Sequence, residues 1–285
     1  MTSIQVCILQ GIFLPSTKSR GAGYNMLGLA LRMAINMGMH RSFNATTTSP
    51  RLHPHVRELC NRLWWSVYVA ERLYSIEMGR PLSISDSEID APFPVVVPEW
   101  CSPSRGTGNS MDVDGLIAMA KLCQLMGKIV EADYCKPPLS AGKEKSAIIQ
   151  PRIYRQLKRE LEQYKRDLPP QLKFSHSKSA DMTRSVAHVA LTYEQATMLL
   201  TRSCLNLSTT TTTTTATTTA AEADEATKAF VSTQVQSCLT SALASIHILE
   251  NLNPAPSCAN SPFTTRCIAS RHCMSCSSLR RSLSV

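Results

Sequence analysis

The chain has 285 residues, 43% of them apolar, so it can bury one large core or two small ones. Its formal net charge is +9, but the basic residues are spread along the chain. The densest basic stretch, residues 152–166, also contains Glu160 and Glu162, which is typical of a solvated helix face. The charge therefore does not by itself indicate a nucleic-acid surface. The longest uncharged run, residues 229–249, is too polar to predict a membrane span.

The cysteines favour a reducing compartment, either cytosol or nucleus. They number eleven and are scattered, and residues 1–17 lack the basic start and cleavage site of a signal peptide. Four of them fall within apolar helical patterns, where a thiol is expected to behave as a small buried hydrophobe: Cys7, Cys60, Cys123 and Cys204.

The apolar residues recur with the period of a helix along most of the chain. After an early helix at the N-terminus, this period predicts helices over residues 22–39, 56–78, 112–133, 146–167, 182–205 and 222–251. In the fourth of these predicted spans, one face carries Ile153, Leu157, Leu161, Tyr164 and Leu168. The only short β-like run is Val-Val-Val at residues 95–97. The sequence therefore predicts an all-α fold.

The helix over residues 56–78 has the strongest apolar stripe and a defined end. Gly79 can take the left-handed conformation that closes a helix, and Pro81 cannot continue one. Four polar residues are expected largely away from the stripe: Arg57, Asn61, Arg62 and Glu71. The adjacent Trp64 and Trp65 point about 100° apart on a helix, because each residue advances by that angle. One is expected to anchor the core and the other to pack against a neighbouring helix or the following loop.

Three segments are predicted to be irregular. Residues 82–111 form a Pro-rich central loop, since its prolines forbid a long helix. The Thr-rich residues 208–221 are expected to form a disordered insertion. Residues 253–285 are rich in Ser, Arg and Cys without periodicity, and they are expected to be a disordered or aberrant tail.

Motifs of catalysis and cofactor binding are absent from the sequence. It contains no GxGxxG, P-loop, HExxH or GxSxG motif. Asp86, Glu88 and Asp90 form a carboxylate cluster, for which charge pairing with Arg72 or Arg80 is the simpler role. The prediction is that the chain is not an enzyme and has no catalytic or metal-binding residues. A helical enzyme that uses Asp86, Asp90 and His40 is the less favoured alternative.

Two quoted segments carry a resemblance to a known family. They are GLALRMAINMGMHR at residues 28–41 and RLWWSVYVAERLYSIEMGRPLSISDSEIDAPFP at residues 62–94. They resemble the fungal-specific transcription factor domain, the xylanolytic activator-type regulatory middle region of binuclear-zinc-cluster transcription factors. Met39 stands where Leu is usual, and Glu71 where Asp is commoner. The signature residues are His40, Arg41, Arg62, Trp64, Trp65, Arg72, Gly79, Arg80, Pro81, Asp86 and Asp90.

The resemblance implies a regulatory domain over residues 1–252, with its strongest match at 24–94. It implies a nuclear protein that modulates transcription, with co-regulators and a small-molecule effector as partners. Family members bind DNA through an N-terminal zinc cluster, which is expected to be missing here because Met1 lies inside an early helix. Zinc is expected only in that cluster, and no cofactor in this chain. The alternative is a stand-alone helical protein-interaction module without DNA binding.

Overall fold

A computed structural model describes residues 1–14, 19–42, 53–97, 108–134, 151–174, 183–210 and 221–252. These residues form helices and contain no strand. The α-helices are α1 (Thr2–Phe13), α2 (Arg20–Asn36), α3 (Pro54–Met78), α4 (Gly108–Tyr134), α5 (Pro151–Arg166), α6 (Arg184–Thr210) and α7 (Ala221–Leu252). Short 3₁₀ turns lie at Asp86–Glu88 and Pro170–Leu172. The all-α prediction is confirmed.

The described residues divide into two compact units. The first comprises those of Met1–Gln124 and Pro169–Lys173, and it contains α1, α2, α3 and the first part of α4. The second comprises those of Leu125–Leu168 and Phe174–Ser257, and it contains the rest of α4 with α5, α6 and α7. The single domain expected over residues 1–252 stays a prediction.

In the first unit, α1, α2 and α3 pack on one another through small and apolar side chains. Leu27 of α2 contacts Ala70 and Tyr74 of α3 in one buried cluster. The Tyr74 hydroxyl also donates to the Arg20 carbonyl at the start of α2, at 3.1 Å. The buried phenol thus keeps its apolar ring in the core while its polar end is hydrogen-bonded.

Both α2 and α3 end in the same way, at a glycine with positive φ. Gly38 has φ 69° and Gly79 has φ 62°, values that a residue with a Cβ rarely adopts. After α3, the Gly79 N–H donates to the Ile76 carbonyl and the Arg80 N–H to the Ser75 carbonyl. The reverse turn satisfies carbonyls that the helix leaves open. The predicted stop at Gly79 is confirmed, whereas α2 ends at Asn36, three residues before the predicted end.

Helix α3 is buried on almost every side, which the sequence did not predict. Polar residues expected away from its stripe are nevertheless covered, since Asn61 is 5% and Glu71 2% exposed. Arg72 is 1% exposed. The cover comes in part from residues 82–97, which pass along the helix. Residues 95–97 form no strand.

In the second unit, α6 packs against both α5 and α7. The predicted stripe of α5 is confirmed at Leu157, Leu161 and Tyr164, but its first position is wrong. Tyr154 is buried there, while Ile153 is 37% exposed. The edge-to-face contact of Tyr154 with Phe230 of α7, at 5.3 Å between ring centroids, explains the shift.

Other predictions have mixed outcomes. Cys7, Cys60 and Cys123 are buried thiols as expected, and the side chain of Cys204 lies outside the described ones. Most of the Thr-rich insertion and all of residues 253–285 also lie outside the described residues, although α6 extends to Thr210. Among the helices that the structure describes, none is both long and apolar enough to cross a lipid bilayer.

Candidate functional site

The signature residues meet along α3, where residues 82–97, here called the return segment, lie against the helix. The segment leaves Gly79 and runs back toward the N-terminus of α3. Its contacts proceed in order from Ser83 on Glu71 to Asp86 on Arg72, Pro92 on Trp65 and Val95 on Glu58. The Pro-rich loop predicted from sequence is therefore an ordered cover in this part.

An ion pair between Arg72 and Asp86 lies at the middle of this contact. Arg72 Nη2 donates to Asp86 Oδ1 at 2.8 Å and to the Ile84 carbonyl at 3.0 Å. The Tyr68 hydroxyl donates to the same Asp86 oxygen at 2.7 Å, and the guanidinium lies 4.6 Å from the centroid of the Tyr68 ring. Burial raises the pKa of Tyr68 far above its usual range, so the phenol remains a donor. The predicted pairing of the acidic cluster with Arg72 is present.

A buried carboxylate, Glu71, binds two hydroxyls. Its Oε1 accepts from Ser75 Oγ at 2.8 Å, one turn along α3, and from Ser83 Oγ of the return segment at 2.6 Å. Hydrogen bonds to a charged acceptor are short and stronger than neutral ones. Glu71 thus ties the start of the return segment to the helix.

The far end of the return segment is held through its backbone. Glu58 Oε1 accepts from the Val95 N–H at 3.0 Å, while Arg62 Nη2 donates to the Val95 carbonyl at 2.9 Å. Glu58 and Arg62 are themselves paired at 2.7 Å. One ion pair therefore satisfies both polar backbone groups of Val95.

Both tryptophans are buried, but they have different neighbours. Trp64 is 0% and Trp65 2% exposed. Trp65 stacks on Phe93, with ring centroids 4.5 Å apart, and its Nε1 donates to the Pro92 carbonyl at 2.9 Å. Trp64 lies in the core beside the His40 ring, at 5.8 Å between centroids. One ring thus occupies the core and the other packs on the loop, as the 100° spacing predicts.

The turn after α2 is joined to the return segment. The His40 carbonyl accepts from the N–H groups of Asp90 and Ala91, both at 3.1 Å. Asp90 Oδ1 accepts from the Ser42 N–H at 2.7 Å and lies 3.4 Å from Arg41 Nε. His40 and Arg41 therefore lie beyond the end of α2, and His40 acts here through its carbonyl.

The last signature residues terminate α3. Gly79 supplies the positive φ, and the Arg80 N–H closes the turn on Ser75 at 2.8 Å. The Arg80 side chain is exposed, as is Pro81, which follows it. Their positions fit a role in directing the chain from the helix into the return segment.

This arrangement gives the proposed catalytic trio separate tasks. Asp86 binds Arg72 and Tyr68, Asp90 binds a backbone N–H, and the His40 ring lies against Trp64. Within the described ranges, no group of three or more His, Cys, Asp or Glu side chains could hold a metal ion. In the observed contacts, Asp86 and Asp90 thus hold neighbouring segments of the first unit together.

The second unit contains a groove of about 890 Å³ between α5, α6 and α7. Its floor comes from α6, through Tyr193, Glu194, Thr197 and Leu200. One wall comes from α5 and the other from α7, with lining side chains that include Tyr154, Lys158, Glu162, Lys165, Gln236, Ser237, Thr240, Ser241 and His247. The volume is within the range of small-molecule sites, which is roughly 300–1,000 Å³.

The electrostatics of the groove centre on Glu194, which is 3% exposed. Burial raises the pKa of Glu194, against the lowering effects of a hydrogen bond with Ser241 and the charge of Lys165. Burial also raises the pKa of Tyr193 to about 12, with the charges of Glu194 and Glu162 adding to the shift. Lys165 Nζ lies 4.7 Å from the Phe174 ring centroid and 5.2 Å from that of Tyr193.

Sequence reasoning missed this groove. The pattern of residues 152–166 is typical of a solvated face, yet Lys158 and Lys165 line the groove with Tyr154. The available signal was Glu194, the one acidic residue in a stretch of α6, residues 186–200, that has no lysine or arginine. The pattern on one helix could not show that two others would frame it.

Comparisons with known proteins agree with the resemblance. The model of the fungal specific transcription factor domain matches residues 1–166, more than half of the chain. An uncharacterized transcriptional regulatory protein of Schizosaccharomyces pombe is 38% identical over 208 residues, covering 71% of this chain and 24% of the relative. The thiamine repressible genes regulatory protein of the same yeast is 32% identical over 203 residues, with the same coverage of each chain.

A further relative, the acetamidase regulatory protein of Aspergillus fumigatus, is 27% identical over 176 residues, covering 62% of this chain and 20% of the relative. The chain thus spans about a quarter of the length of the first two relatives. The comparison with solved structures found no match. The family match and the identity to these regulators show that the chain belongs to the fungal specific transcription factor domain family.

Proposed function

We propose that the chain serves as the regulatory region of a fungal transcription factor and modulates DNA-templated transcription from the nucleus. The match of the family to residues 1–166 carries this proposal. The names of the relatives support it, since they describe regulators of transcription. The ion pairs and hydrogen bonds between α3 and the return segment are consistent with it, because they use the charged side chains of α3 to hold the fold together.

Three kinds of partner belong to the proposal. In a longer protein, DNA would be bound through an N-terminal zinc cluster of the family type, which is not among these 285 residues, and zinc would be held there. Transcriptional co-regulators would bind the helical surface. A small-molecule effector would bind in the groove of the second unit, whose volume and buried carboxylate suit a ligand.

A reporter assay tests the regulatory role. The 285-residue chain is fused to a heterologous DNA-binding domain in a fungal host, and transcription from its cognate promoter is compared with that given by the DNA-binding domain alone. We expect the fusion to change transcription severalfold. The Asp86→Ala variant should weaken the effect because it destabilises the first unit, whereas Asp90→Ala should retain it. A folded fusion that leaves the reporter unchanged contradicts the proposal.

One observation favours the second candidate, a protein-interaction module. On α1, Val6, Leu9 and Phe13 are spaced by three and four residues, and they are 45%, 67% and 49% exposed. Such a stripe on a helix surface is typical of a contact face for another apolar surface. Substituting Leu9→Lys should weaken binding of a co-regulator captured by crosslinking while the melting temperature stays constant. Crosslinking that is unaffected by this change would count against the stripe.

A further inference from the structure

From the outer face of α5, we infer that the second unit binds an acidic helical segment of a partner protein through a stripe of arginines. The members of this arginine stripe, all of them exposed, are Arg152, Arg155, Arg159 and Arg166. The inference rests on the proposed function in taking the helical surface as a place where protein partners bind, and it adds the chemistry of one such partner. The binding itself can be tested on the purified chain.

The arginine stripe lies on the side of α5 that faces away from the core. Its members are three, four and seven residues apart, and each residue of a helix turns by about 100° and rises by about 1.5 Å. The four side chains therefore start within about 60° of one another around the axis and extend along about 21 Å of the helix. The buried residues Leu157, Leu161 and Tyr164 lie on the opposite side. The stripe is thus a charged surface that the packing of α5 on α6 leaves open.

Two of these arginines form their hydrogen bonds with neutral acceptors. Arg166 donates from Nε and Nη2 to the side-chain oxygen of Gln163, at 3.2 and 2.8 Å. Arg159 Nε donates to the Arg155 carbonyl at 3.1 Å. Among the ion pairs of the described residues, none includes Arg152, Arg159 or Arg166. The positive charges of these three guanidinium groups are therefore available to an acidic partner.

The carboxylates of α5 lie beside the stripe. Glu160 pairs with Lys128 of α4 at 2.9 Å, and Glu162 lines the groove. On the other side of the stripe, Asp167 accepts from Gln163 Nε2 at 2.6 Å. A single helix, about 10–12 Å across, can lie along the stripe between Glu162 and Asp167. A nucleic-acid duplex is wider, since its major groove alone admits a helix, and its phosphates would meet these carboxylates.

The spacing of the arginines fits a helical partner. Carboxylates that are three, four and seven residues apart on a helix recur at the same distances along its axis, so an acidic helix beside α5 can pair with several arginines at once. The planar guanidinium group binds a carboxylate through two parallel N–H donors. Because one exposed ion pair contributes little, several must form together for measurable binding.

Two designed peptides test this charge preference. Both are fluorescein-labelled, alanine-rich helices of about 18 residues, with either glutamate or glutamine at positions three, four and seven residues apart. Fluorescence anisotropy follows their binding to the purified 285-residue chain at about 50 mM salt. The glutamate peptide should bind at least about tenfold more tightly than the glutamine peptide. This preference should shrink severalfold at about 500 mM salt, because salt screens exposed charges.

The Arg159→Glu variant identifies the surface responsible. It reverses one charge of the stripe with a residue that also favours helix, so circular dichroism should be unchanged while the glutamate peptide binds at least about fivefold more weakly. The control Arg32→Glu makes the same charge change at an exposed arginine of α2, and it should alter the affinity less than about twofold.

Three results of the peptide titrations overturn the inference. They are equal affinity for the two peptides, no binding of either at about 1 mM, and a loss in Arg159→Glu no larger than that in Arg32→Glu. A DNA duplex that binds more tightly than the glutamate peptide, and that loses affinity in Arg159→Glu, also overturns it, since the stripe would then be a nucleic-acid surface.

These outcomes are distinct from those of the reporter assay. A chain that modulates transcription but does not distinguish the two peptides loses only the partner chemistry. A chain that prefers the glutamate peptide through Arg159 but leaves the reporter unchanged keeps the binding surface and loses the regulatory role.

Discussion

The return segment of the first unit and the groove of the second both place carboxylates within helical packing, but they compensate them differently. Asp86 receives two donors on one oxygen, from Arg72 and Tyr68, at 2.8 and 2.7 Å. Glu194 also has a hydrogen bond and a nearby cation, yet burial dominates and its pKa is raised. In the first region the carboxylates therefore stabilise the fold, whereas in the second the ionised carboxylate costs stability.

This difference separates structural charge from charge that is available to a ligand. Asp86 and Glu194 both have partners within the chain, but Asp86 lies in the contact between α3 and the return segment. Glu194 instead lines a groove that a ligand could enter. The family signature lies in the first kind of region and the candidate ligand site in the second.

The largest expected effect is a loss of stability on removing Trp64, which tests whether the first region is part of the core. Trp64→Ala should lower the free energy of unfolding by about 3–5 kcal/mol, because it removes a fully buried indole and leaves a cavity. Urea denaturation measures the loss. Leu9→Ala is the control, since Leu9 is 67% exposed and its removal should cost less than about 0.5 kcal/mol. Similar unfolding midpoints for the two variants would place Trp64 outside the core.

Removing a carboxylate from the first region should destabilise it. Asp86→Ala leaves the guanidinium of Arg72 buried without its ion-pair partner, which should cost about 3 kcal/mol. The control is Asp90→Ala, whose ion pair with Arg41 is exposed and should contribute less than about 1 kcal/mol. Chemical denaturation of both variants checks the ranking. If the two variants lose equal stability, the ion pair between Arg72 and Asp86 does not stabilise the first unit more than an exposed pair does.

A substitution at the end of α3 tests the backbone that starts the return segment. Gly79→Val should cost about 1–2 kcal/mol, because a β-branched residue is strained at φ 62°. Gly28→Ala is the opposite control: Gly28 lies within α2 with open space around its Cβ position, so alanine should add roughly 0.5–1 kcal/mol. Thermal unfolding distinguishes the two signs. A stabilised Gly79→Val variant would contradict the left-handed turn.

The smallest expected effect is a gain in stability, and it comes from a substitution at Glu194 in the second region. Because the folded-state pKa of Glu194 is raised, the protonated form is favoured by folding, and the ionised carboxylate destabilises the folded chain above that pKa. Glu194→Gln should therefore be more stable than the parent chain at pH 7. The advantage should shrink as the pH falls through the folded pKa toward the unfolded value. Thermal melts across this pH range measure it, and a destabilised variant at pH 7 would break the comparison.

The sequence was most informative where structure depends on neighbours along the chain. The span of α3 and its stop at Gly79 could be predicted, because helical period and left-handed φ are local properties. The angular separation of Trp64 and Trp65 followed from the same helix geometry. The sequence indicated that Asp86 pairs with either Arg72 or Arg80. It could not choose between them, since both arginines are near Asp86 in sequence.

What the sequence by itself determined is a set of helices, their stops and a family signature. Only the tertiary structure decided that Glu71 and Asn61, on the polar side of α3, are buried. Glu71 is covered by the return segment, whose Ser83 hydroxyl donates to it. The tertiary structure alone likewise decided that side chains of α5 and α7 line the same groove as Glu194. Burial and electrostatic field depend on groups distant in sequence, so one helix pattern cannot specify them.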